Sequence, residues 1–439
     1  MANIVVAFYN PLMRIDGIFP YIESFLCNLK NYGNNILCFQ KPATDLHIKQ
    51  EIPERYLQKI KEFNPDLFIL FNNQFFDISK HFDKPIIIFD IDSPNFWANL
   101  DSLKGDKRFR YLTGQTSSVS LIKNILGTND IQVEYIRPFT NVQAKNVKIE
   151  NNIAFCGSHW LFSGFTNIES FLAKNPTKKE RDFARKVYNS IQVNPNNSVK
   201  SIYKKYNFSS ANKLEIGDNF VFSTRISGLK RLRTLLAVAD LDLEVRGFMW
   251  DSRNFSPLKA FPEVLLSYSN IPIRNLKDTE NFYNSAKIGL NTNHIQAQTG
   301  FSWRVADILA SNACLVTEKA KDLKNFNIKI PQFESPAEAR ELCQFILKNE
   351  NYRKDIVLSA QDTIERNFRF SSILPTIEKL AEMKLAFKNK GSLEIISLDS
   401  LNKNYSKKEQ YNSNLKLKDK IRYKIWRHYD KILKKKNII

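Results

Sequence analysis

The amino-acid sequence predicts an α/β protein of two doubly wound, Rossmann-like domains facing a cleft, followed by a basic helical tail. Three observations carry that expectation. Short continuous apolar runs alternate with helix-period stretches through the first third of the chain; a second series of the same kind begins near Asn219; and composition changes abruptly after Leu401. Strands that are apolar throughout suit a parallel sheet covered on both faces, because neither face meets water. At roughly 150 residues per domain, 439 residues allow two or three domains.

The first series opens with a strand at Asn3–Tyr9 (NIVVAFY) and helix-period apolar residues over Ile18–Tyr32. Strands follow at Asn35–Gln40, Asp66–Phe71 and Pro85–Asp90, then short ones at Arg110–Thr113 and Val133–Arg137 around a helix at Ser117–Leu126. The polar stretch Asn141–Asn152 lacks periodicity and reads as a linker. A strand at Ile153–Cys156 is followed by a polar helical insertion over about 160–215. The second series places strands at Phe220–Ser223, Leu243–Arg246, Ile271–Arg274, Ile288–Asn291, Cys314–Thr317 and Asn327–Ile330. Helices are expected at Lys230–Ala239, Thr279–Ser285, Trp303–Ser311, Pro336–Lys348 and Tyr352–Asn367. The expected domains are 1–145, 146–390 and a tail at 391–439. Ligands of open α/β sheets bind beyond the carboxyl ends of the strands, so loops there are where function is sought.

Composition excludes several classes. With 43% hydrophobic and 25% charged residues, the chain is ordinary for a globular protein. Thirteen glycines and sixteen prolines rule out a collagen-like or Pro/Gly-rich disordered chain. The start lacks a charged segment before its apolar stretch, so it does not read as a secretory signal. No run reaches the eighteen or so apolar residues that a membrane span needs. Five scattered cysteines without a CxxC pair, and five dispersed histidines without HExxH spacing, predict reduced thiols, a cytoplasmic setting and no protein-bound metal.

The net charge is +20, from 65 Lys and Arg against 45 Asp and Glu. From Leu401 to Ile439, eleven Lys and two Arg face Glu409, Asp419 and Asp430, giving +10, half of the total. Leu417, Ile421, Ile425, Tyr429 and Ile432 recur at helical spacing with Trp426 beside them and six cations around them. A basic amphipathic helix with interfacial aromatic residues suits an anionic membrane surface, here through residues 415–436. Packing of the stripe on the protein body, or a merely solvated lysine-rich tail, is the alternative. No nucleic-acid-binding motif accompanies the charge, so nucleic acid is not an expected partner.

The most informative stretch is Ile288–Thr317, in which a buried strand runs into a polar loop, a glycine, a helix and a second buried strand. Gly300 and Ser302 precede the helix, where free backbone N–H groups bind anions. Arg304 in the first turn offers bidentate geometry for phosphate. Asp307, one turn on, suits the paired hydroxyls of a sugar. A nucleotide-sugar combines these features.

On those residues the chain resembles the two-domain glycosyltransferases of the GT-B fold over roughly residues 1–390. The donor motif of retaining glycosyltransferase family 4 is two glutamates separated by seven residues, with Gly-Phe-Gly after the first. Here the sequence is Thr299-Gly300-Phe301-Ser302 with Asp307 eight residues after Thr299. The resemblance implies that Asp307 binds the nucleotide ribose, while Thr299 replaces the first acid. The pattern around Arg304-Val305-Ala306-Asp307 and Cys314-Leu315-Val316-Thr317 is similar to the spore-maturation CgeB-like branch. The family also carries an Arg and, five residues on, a Lys that hold the donor diphosphate; Arg225 and Lys230 have that spacing, with Arg231 where the family has glycine. Two cations there neutralise the diphosphate leaving group.

In the first half, Asn10–Gly17 follows the first strand, and Asp16 is a candidate general base or, alternatively, a turn residue. Asp90-Ile91-Asp92 has the form of a metal-binding DxD, but lies at a strand end in a fold that the resemblance implies is metal-independent. A structural or acceptor-side role is the preferred reading of that pair. His159 and His294 are candidates for phosphate contact or proton transfer; ordinary loop histidines are the alternative. Phe301 and Trp303 are expected to pack rather than to stack on a base.

The expected activity is transfer of a sugar from a nucleotide-sugar, UDP- or GDP-linked, to a hydroxyl of a cell-surface glycan or lipid-linked acceptor, as in capsule, lipopolysaccharide or teichoic-acid assembly, without a cofactor. A non-catalytic glycan- or nucleotide-binding protein on a degenerate transferase fold is the alternative, motivated by Thr299 and Arg231.

Overall fold

The structure is a computed structural model that describes residues 1–10, 16–41, 54–157, 217–247 and 261–398, apart from isolated positions and 98–102, together with a few residues between 178 and 190. It divides into two compact units. The first comprises Met1–Glu150, Arg274–Glu334 and Leu342–Asp399; the second comprises Asn151–Ile273, Ser335–Glu341 and Ser400–Ile439. The chain passes from the first unit to the second after Glu150 and returns to the first at Arg274.

The first unit is built on a parallel sheet. Its strands are β1 (Asn3–Tyr9), β2 (Asn35–Lys41), β3 (Leu67–Phe71), β4 (Ile86–Asp90), β5 (Phe109–Thr113), β6 (Val133–Tyr135) and β12 (Leu393–Ser397), in the order β12-β2-β1-β3-β4-β5-β6. The register runs through Ile4 opposite Ile36 and Leu67, Phe68 opposite Ile86, and Ile88 opposite Tyr111. Every residue of β3, β4 and β5 is buried, as a sheet covered on both faces requires.

The two faces separate by the period of two that a strand imposes. Ile4, Val6 and Phe8 join the core formed with Phe25, Leu26 and Leu29 of α1 (Pro20–Asn31) and Phe370, Ile373 and Ile377 of α10 (Phe370–Ala381). Val5 and Ala7 point the other way, to Leu57 and Ile60 of α2 (Glu54–Phe63) and Ile122 and Leu126 of α3 (Thr116–Leu126). Each such Leu, Ile or Phe contributes about 1.5–3 kcal/mol by leaving water.

Because β2 lies on one side of β1 and β3 on the other, the winding reverses at β1. A crevice at the carboxyl ends of β1 and β3 follows from that reversal.

The same unit holds a second parallel set: β9 (Ala286–Asn291), β10 (Cys314–Glu318) and β11 (Gln332–Phe333), with Ile288 opposite Cys314 and Thr317 opposite Gln332. The helices α6 (Leu276–Asn284), α7 (Arg304–Leu309) and α9 (Glu350–Asn367) accompany it; α7 packs on β9, β10 and α9. In the second unit β7 (Asn151–Cys156) pairs in parallel with β8 (Leu243–Arg246), beside α4 (Gly217–Val238) and α5 (Pro262–Ser267). Arg231 of α4 is buried, its guanidinium 5.1 Å from the Phe155 ring centroid. The helix α8 (Pro336–Lys348) has the bounds that the sequence predicts.

Four expectations need correction or addition. Phe220–Ser223 is not a strand; it lies in α4. The brief Phe220/Phe222 alternation yields to the helical spacing of Leu232, Leu235 and Val238 that follows without a proline, and propagation costs little once a turn exists. Ile271–Arg274 forms no strand, since Pro272 removes a ladder donor. Asn327–Ile330 is also irregular, with Asn327 left-handed at φ 31°, and the pairing moves to Gln332–Phe333. Finally, α2, α10 and β12 were not read from sequence. β12 falls in the stretch expected as tail, yet it extends the first sheet, with Ile395 opposite Cys38.

All five cysteines are free thiols. Among the described residues, no helix is long and apolar enough to cross a membrane.

Gly289 in β9 faces Ile308 of α7 so closely that a methyl group there would clash with Ile308 Cγ2 and lie 2.9 Å from its Cγ1. Gly289→Ala is therefore expected to push α7 off the sheet and cost about 1–3 kcal/mol, the usual range for overpacking. The unfolding midpoint in urea reads this; an unchanged midpoint would contradict the packing described.

Candidate functional site

Polar residues collect where the strands end. Asn10, the residue after β1, is buried; its amide Nδ2 donates to Gly17 O at 2.8 Å and to Gln40 Oε1 at 2.7 Å, and its backbone N–H donates to Lys41 O. It thereby fixes the chain leaving β1. Asp16 is an exposed turn residue with φ 51°, and among the described residues no hydrogen bond orients its carboxylate.

After β3, Asn72 is left-handed at φ 52°. Its Oδ1 accepts from Ile91 N at 2.9 Å and Asp92 N at 3.3 Å, and its Nδ2 donates to Asp92 Oδ2 at 2.6 Å. One asparagine thus holds both the backbone and the carboxylate of the loop leaving β4. The Tyr9 hydroxyl reaches the same Oδ2 at a longer 3.5 Å. The Asp92 carboxylate is exposed, yet protein packed around it raises its pKa; Asn72 and Tyr9 oppose the rise. The Asp92 charge in turn raises the Tyr9 phenol, and burial followed by the same charge raises Tyr21.

Asp90, two residues earlier, has a different environment. It is 1% exposed and accepts from Thr113 Oγ1 at 3.1 Å through Oδ2, while Oδ1 has no hydrogen bond. Burial, and next the Asp92 charge, push its pKa up to about 8. Trp97 and Ser118 aim polar groups at it and moderate that rise without closing a hydrogen bond on Oδ1. Asp90 is thus a buried acid that holds its proton to about pH 8, and Asp92 an exposed acid of the same motif.

The turn from β9 to α7 is organised by Asn291, which is fully buried. Its Nδ2 donates to Asn293 Oδ1 and Thr317 Oγ1; its Oδ1 accepts from Ser302 Oγ at 2.7 Å and Arg304 Nη1 at 2.8 Å. Arg304, half-buried, is thus oriented by the Asn291 amide oxygen and, at 3.4 Å, by Ser302 Oγ. The backbone N–H of Ser302 is already committed to Asn293 Oδ1 at 3.3 Å. The expected cradle of open amides is therefore partly used by the turn itself.

Gly300 is required for a different reason than anion binding: a Cβ there would lie 2.6 Å from Gln115 Cβ, in the turn from β5 to α3. Thr299 Oγ1 accepts from Ser117 N at 3.0 Å and bonds Asp322 Oδ2 at 3.1 Å. Asp322 also accepts from Thr116 N at 3.0 Å and Thr116 Oγ1 at 2.6 Å. Thr299 and Asp322 together cap α3 from outside, since Gln115 supplies no side-chain cap of its own.

Phe301 is buried against Phe326 and Phe368, so it is a packing residue, as expected. Trp303 packs on Tyr21, Phe89 and Phe139, with ring centroids 5.2–5.8 Å apart, and donates Nε1–H to Phe139 O. This tryptophan brings the β9–α7 turn beside the Tyr9–Asp92 cluster. Asp307 is 7% exposed and accepts from Thr140 Oγ1 at 2.6 Å; burial raises its pKa to about 7. The carboxyl that the resemblance assigns to ribose is therefore engaged inside the fold. His294 Nδ1 accepts from Gln296 N at 3.3 Å and orders its own turn.

Arg225 and Lys230 belong to the second unit and lie within α4, not after a strand. Five residues along a helix turn the backbone by about 140°, unlike a strand-end pair. His159, most of 160–215 and the basic tail at 401–439 lie outside the described residues. Sequence reasoning did not single out Tyr9, Tyr21, Asn72, Asn291 or Asp322. Asn72-Asn73 directly after the apolar run LFILF was the one available hint, since asparagine tolerates the left-handed region.

Residues 230–379, about a third of the chain, match the family model described as glycosyl transferase-like. The match includes the whole β9–α7–β10 segment. Among solved structures, the Anabaena protein Alr3699/HepE, crystallised with UDP-glucose, has 10% sequence identity and a TM-score of 0.52, covering 87% of this chain and 100% of its own. The phage T4 protein BGT, with its UDP-glucose substrate, has 11% identity and a TM-score of 0.46, covering 86% and 100%. Sucrose-phosphate synthase of Thermosynechococcus elongatus has 10% identity and a TM-score of 0.46, covering 87% and 98%. No curated protein matches the chain. The likeness to HepE shows the fold: parallel α/β architecture of the GT-B class.

The protonation of Asp90 has a measurable consequence. Between the usual carboxylate pKa near 4 and about 8, the folded chain keeps a proton that the unfolded chain has released, so this residue makes stability fall as pH rises. Asp307 acts in the same direction up to about 7. Asp90→Asn, an uncharged isostere, is expected to flatten the decline in melting temperature between pH 5 and pH 8. Identical slopes in both proteins would contradict a buried neutral Asp90.

Proposed function

We propose that the chain is a glycosyltransferase moving a sugar from a uridine or guanosine diphosphate sugar to a hydroxyl of a cell-surface glycan or lipid-linked acceptor. The observation that carries this reading is Arg304. It lies within the glycosyl transferase-like region, and Asn291 and Ser302 orient its guanidinium through neutral oxygens. A charge held this way is preorganised for a diphosphate, whose negative charge grows as the glycosidic bond breaks. The UDP-glucose of the HepE structure makes uridine the first base to test. Arg225 and Lys230 remain proposed donor-side cations.

The test is binding followed by turnover. UDP, GDP and their glucose and mannose derivatives are screened by thermal shift, and release of nucleoside diphosphate is then followed. Arg304→Ala is expected to weaken nucleotide binding by roughly tenfold or more, since a charge-assisted hydrogen bond is worth about 1.5–3 kcal/mol, and turnover falls with it. Unchanged affinity and turnover would remove this turn from the donor site.

One observation favours a second reading, a non-catalytic binder. Thr299, in place of the family's acid, is consumed in capping α3, so that contact to a donor sugar is lost. Nucleotide binding without release of diphosphate would select it.

The basic tail supports attachment to an anionic membrane surface near a lipid-linked acceptor. A protein ending at residue 400 is expected to stop sedimenting with phosphatidylserine vesicles while still hydrolysing donor. Continued sedimentation at low salt would place the membrane contact elsewhere.

A further inference from the structure

We propose that Asp92 removes the proton from the acceptor hydroxyl, with Asn72 and Tyr9 holding its carboxylate and the Tyr21–Trp303 aromatic pair flanking an acceptor of sugar type. This rests on the transferase reading and adds to it the catalytic base, the acceptor subsite and the stereochemical outcome.

Four observations converge on Asp92. It stands at the carboxyl end of β4, beside the reversal of winding at β1 and β3, where open α/β sheets bind ligands. Asn72 and Tyr9 both reach Oδ2, so among the described residues Oδ1 has no hydrogen bond and is the oxygen left to accept a proton. Asp92 is exposed, and among the described residues no Lys or Arg pairs with it, so its charge is not spent on an ion pair. Tyr21 packs against both Phe19 and Trp303, with ring centroids 5.5 Å and 5.3 Å apart, and is close enough to sense the Asp92 charge. A carboxylate beside aromatic faces suits a sugar, whose hydroxyls need an acceptor and whose C–H faces need apolar cover.

The other acids of the region do not fit. Asp90 is buried and holds its own proton, Asp16 is not oriented, and Asp307 is engaged by Thr140. His294 presents Nδ1 to its own backbone.

The step balances as a direct displacement. The acceptor O–H bond breaks, its proton moves to Asp92 Oδ1, and the oxygen lone pair forms a bond to the anomeric carbon of the donor. The bond from that carbon to the diphosphate oxygen breaks, and its electron pair leaves with the nucleoside diphosphate. Asp92, open to solvent, then returns the proton to water. Attack opposite the leaving group inverts the anomeric carbon.

The experiment uses the full-length protein with UDP-glucose and GDP-mannose as donors, and water and octyl β-glucoside as acceptors. Asp92→Asn is expected to lower nucleoside diphosphate release roughly a hundredfold, the lower range for a lost general base, while nucleotide affinity by thermal shift stays within a factor of about two, the scatter of a site that makes no donor contact. Formate should restore part of the activity of Asp92→Ala, which a merely structural role would not allow. Tyr9→Phe, which keeps the ring and its packing, should lower kcat roughly fivefold at unchanged KM. The sugar released from UDP-glucose by wild type should appear first as the β anomer by proton NMR.

Full activity in Asp92→Asn, or a retained anomer, would overturn the assignment and leave the transferase reading intact. Should Asp92→Asn fail to fold, the Tyr9→Phe kinetics and the product anomer decide the matter. A wild type that binds nucleotide but releases no diphosphate with any of these probes overturns the transferase reading itself.

Discussion

A parallel sheet covered by helices on both faces leaves polar side chains few places to go except beyond the strand ends. β3, β4 and β5 are buried at every position, so, apart from Arg110 and Tyr111 within β5, their polar groups appear where the strands stop. Asn10 follows β1, Asn72 follows β3, Asp90 closes β4 and Thr113 closes β5; in the second parallel set, Asn291 closes β9 and Thr317 lies near the end of β10. Each is buried or nearly so, and a buried polar group left without a partner costs about 1–3 kcal/mol. The loops therefore fold so that these groups satisfy one another. The candidate site is the by-product of that requirement, since the side chains that tie down the loops are also those that can meet a ligand.

The same requirement joins the two turns that follow β5 and β9. α3 begins without a side-chain cap of its own, and Thr299 and Asp322 provide one across the seam. Gly300 is what lets the backbones approach, and Trp303 extends the seam to Tyr21 and Phe89. A turn that resembles an open anion cradle in one dimension is thus, in three, a packed junction in which a buried asparagine holds an arginine.

Most of the first sheet was legible because continuous runs such as NIVVAFY, DLFILF and PIIIFD cannot be covered in any other way, and β1 has the bounds read from sequence. β9, β10 and α8 were legible for the same reason or from helical period. What escaped was context-dependent. Phe220–Ser223 carries a strand-like alternation too short to resist the helix that follows it, and Ile271–Arg274 is apolar but contains Pro272. β12 is a half-exposed edge strand whose pairing with β2 depends on residues more than 350 positions away, which no local pattern announces. The site was half legible. Arg304 and Gly300 stand out by residue type, whereas Asn72 and Asn291 act through side-chain amides, and asparagine in a loop carries no sign of what it will bond.

The pair Asp90-Ile91-Asp92 shows how burial divides the labour of two identical side chains. Alternation along the strand direction puts Asp90 into the protein, and the turn that follows leaves Asp92 in solvent. Were both ionised, their mutual repulsion in a poorly solvated region would act against the fold. Protonation of Asp90, whose pKa is pushed up to about 8, removes that repulsion and so favours the charged form of Asp92. A divalent cation bridging the pair would need oxygens from both at the surface, and Asp90 presents none: it is 1% exposed and bonded to Thr113. The short acidic motif is better understood as one structural acid that sets the strand end and one exposed acid that the strand end displays.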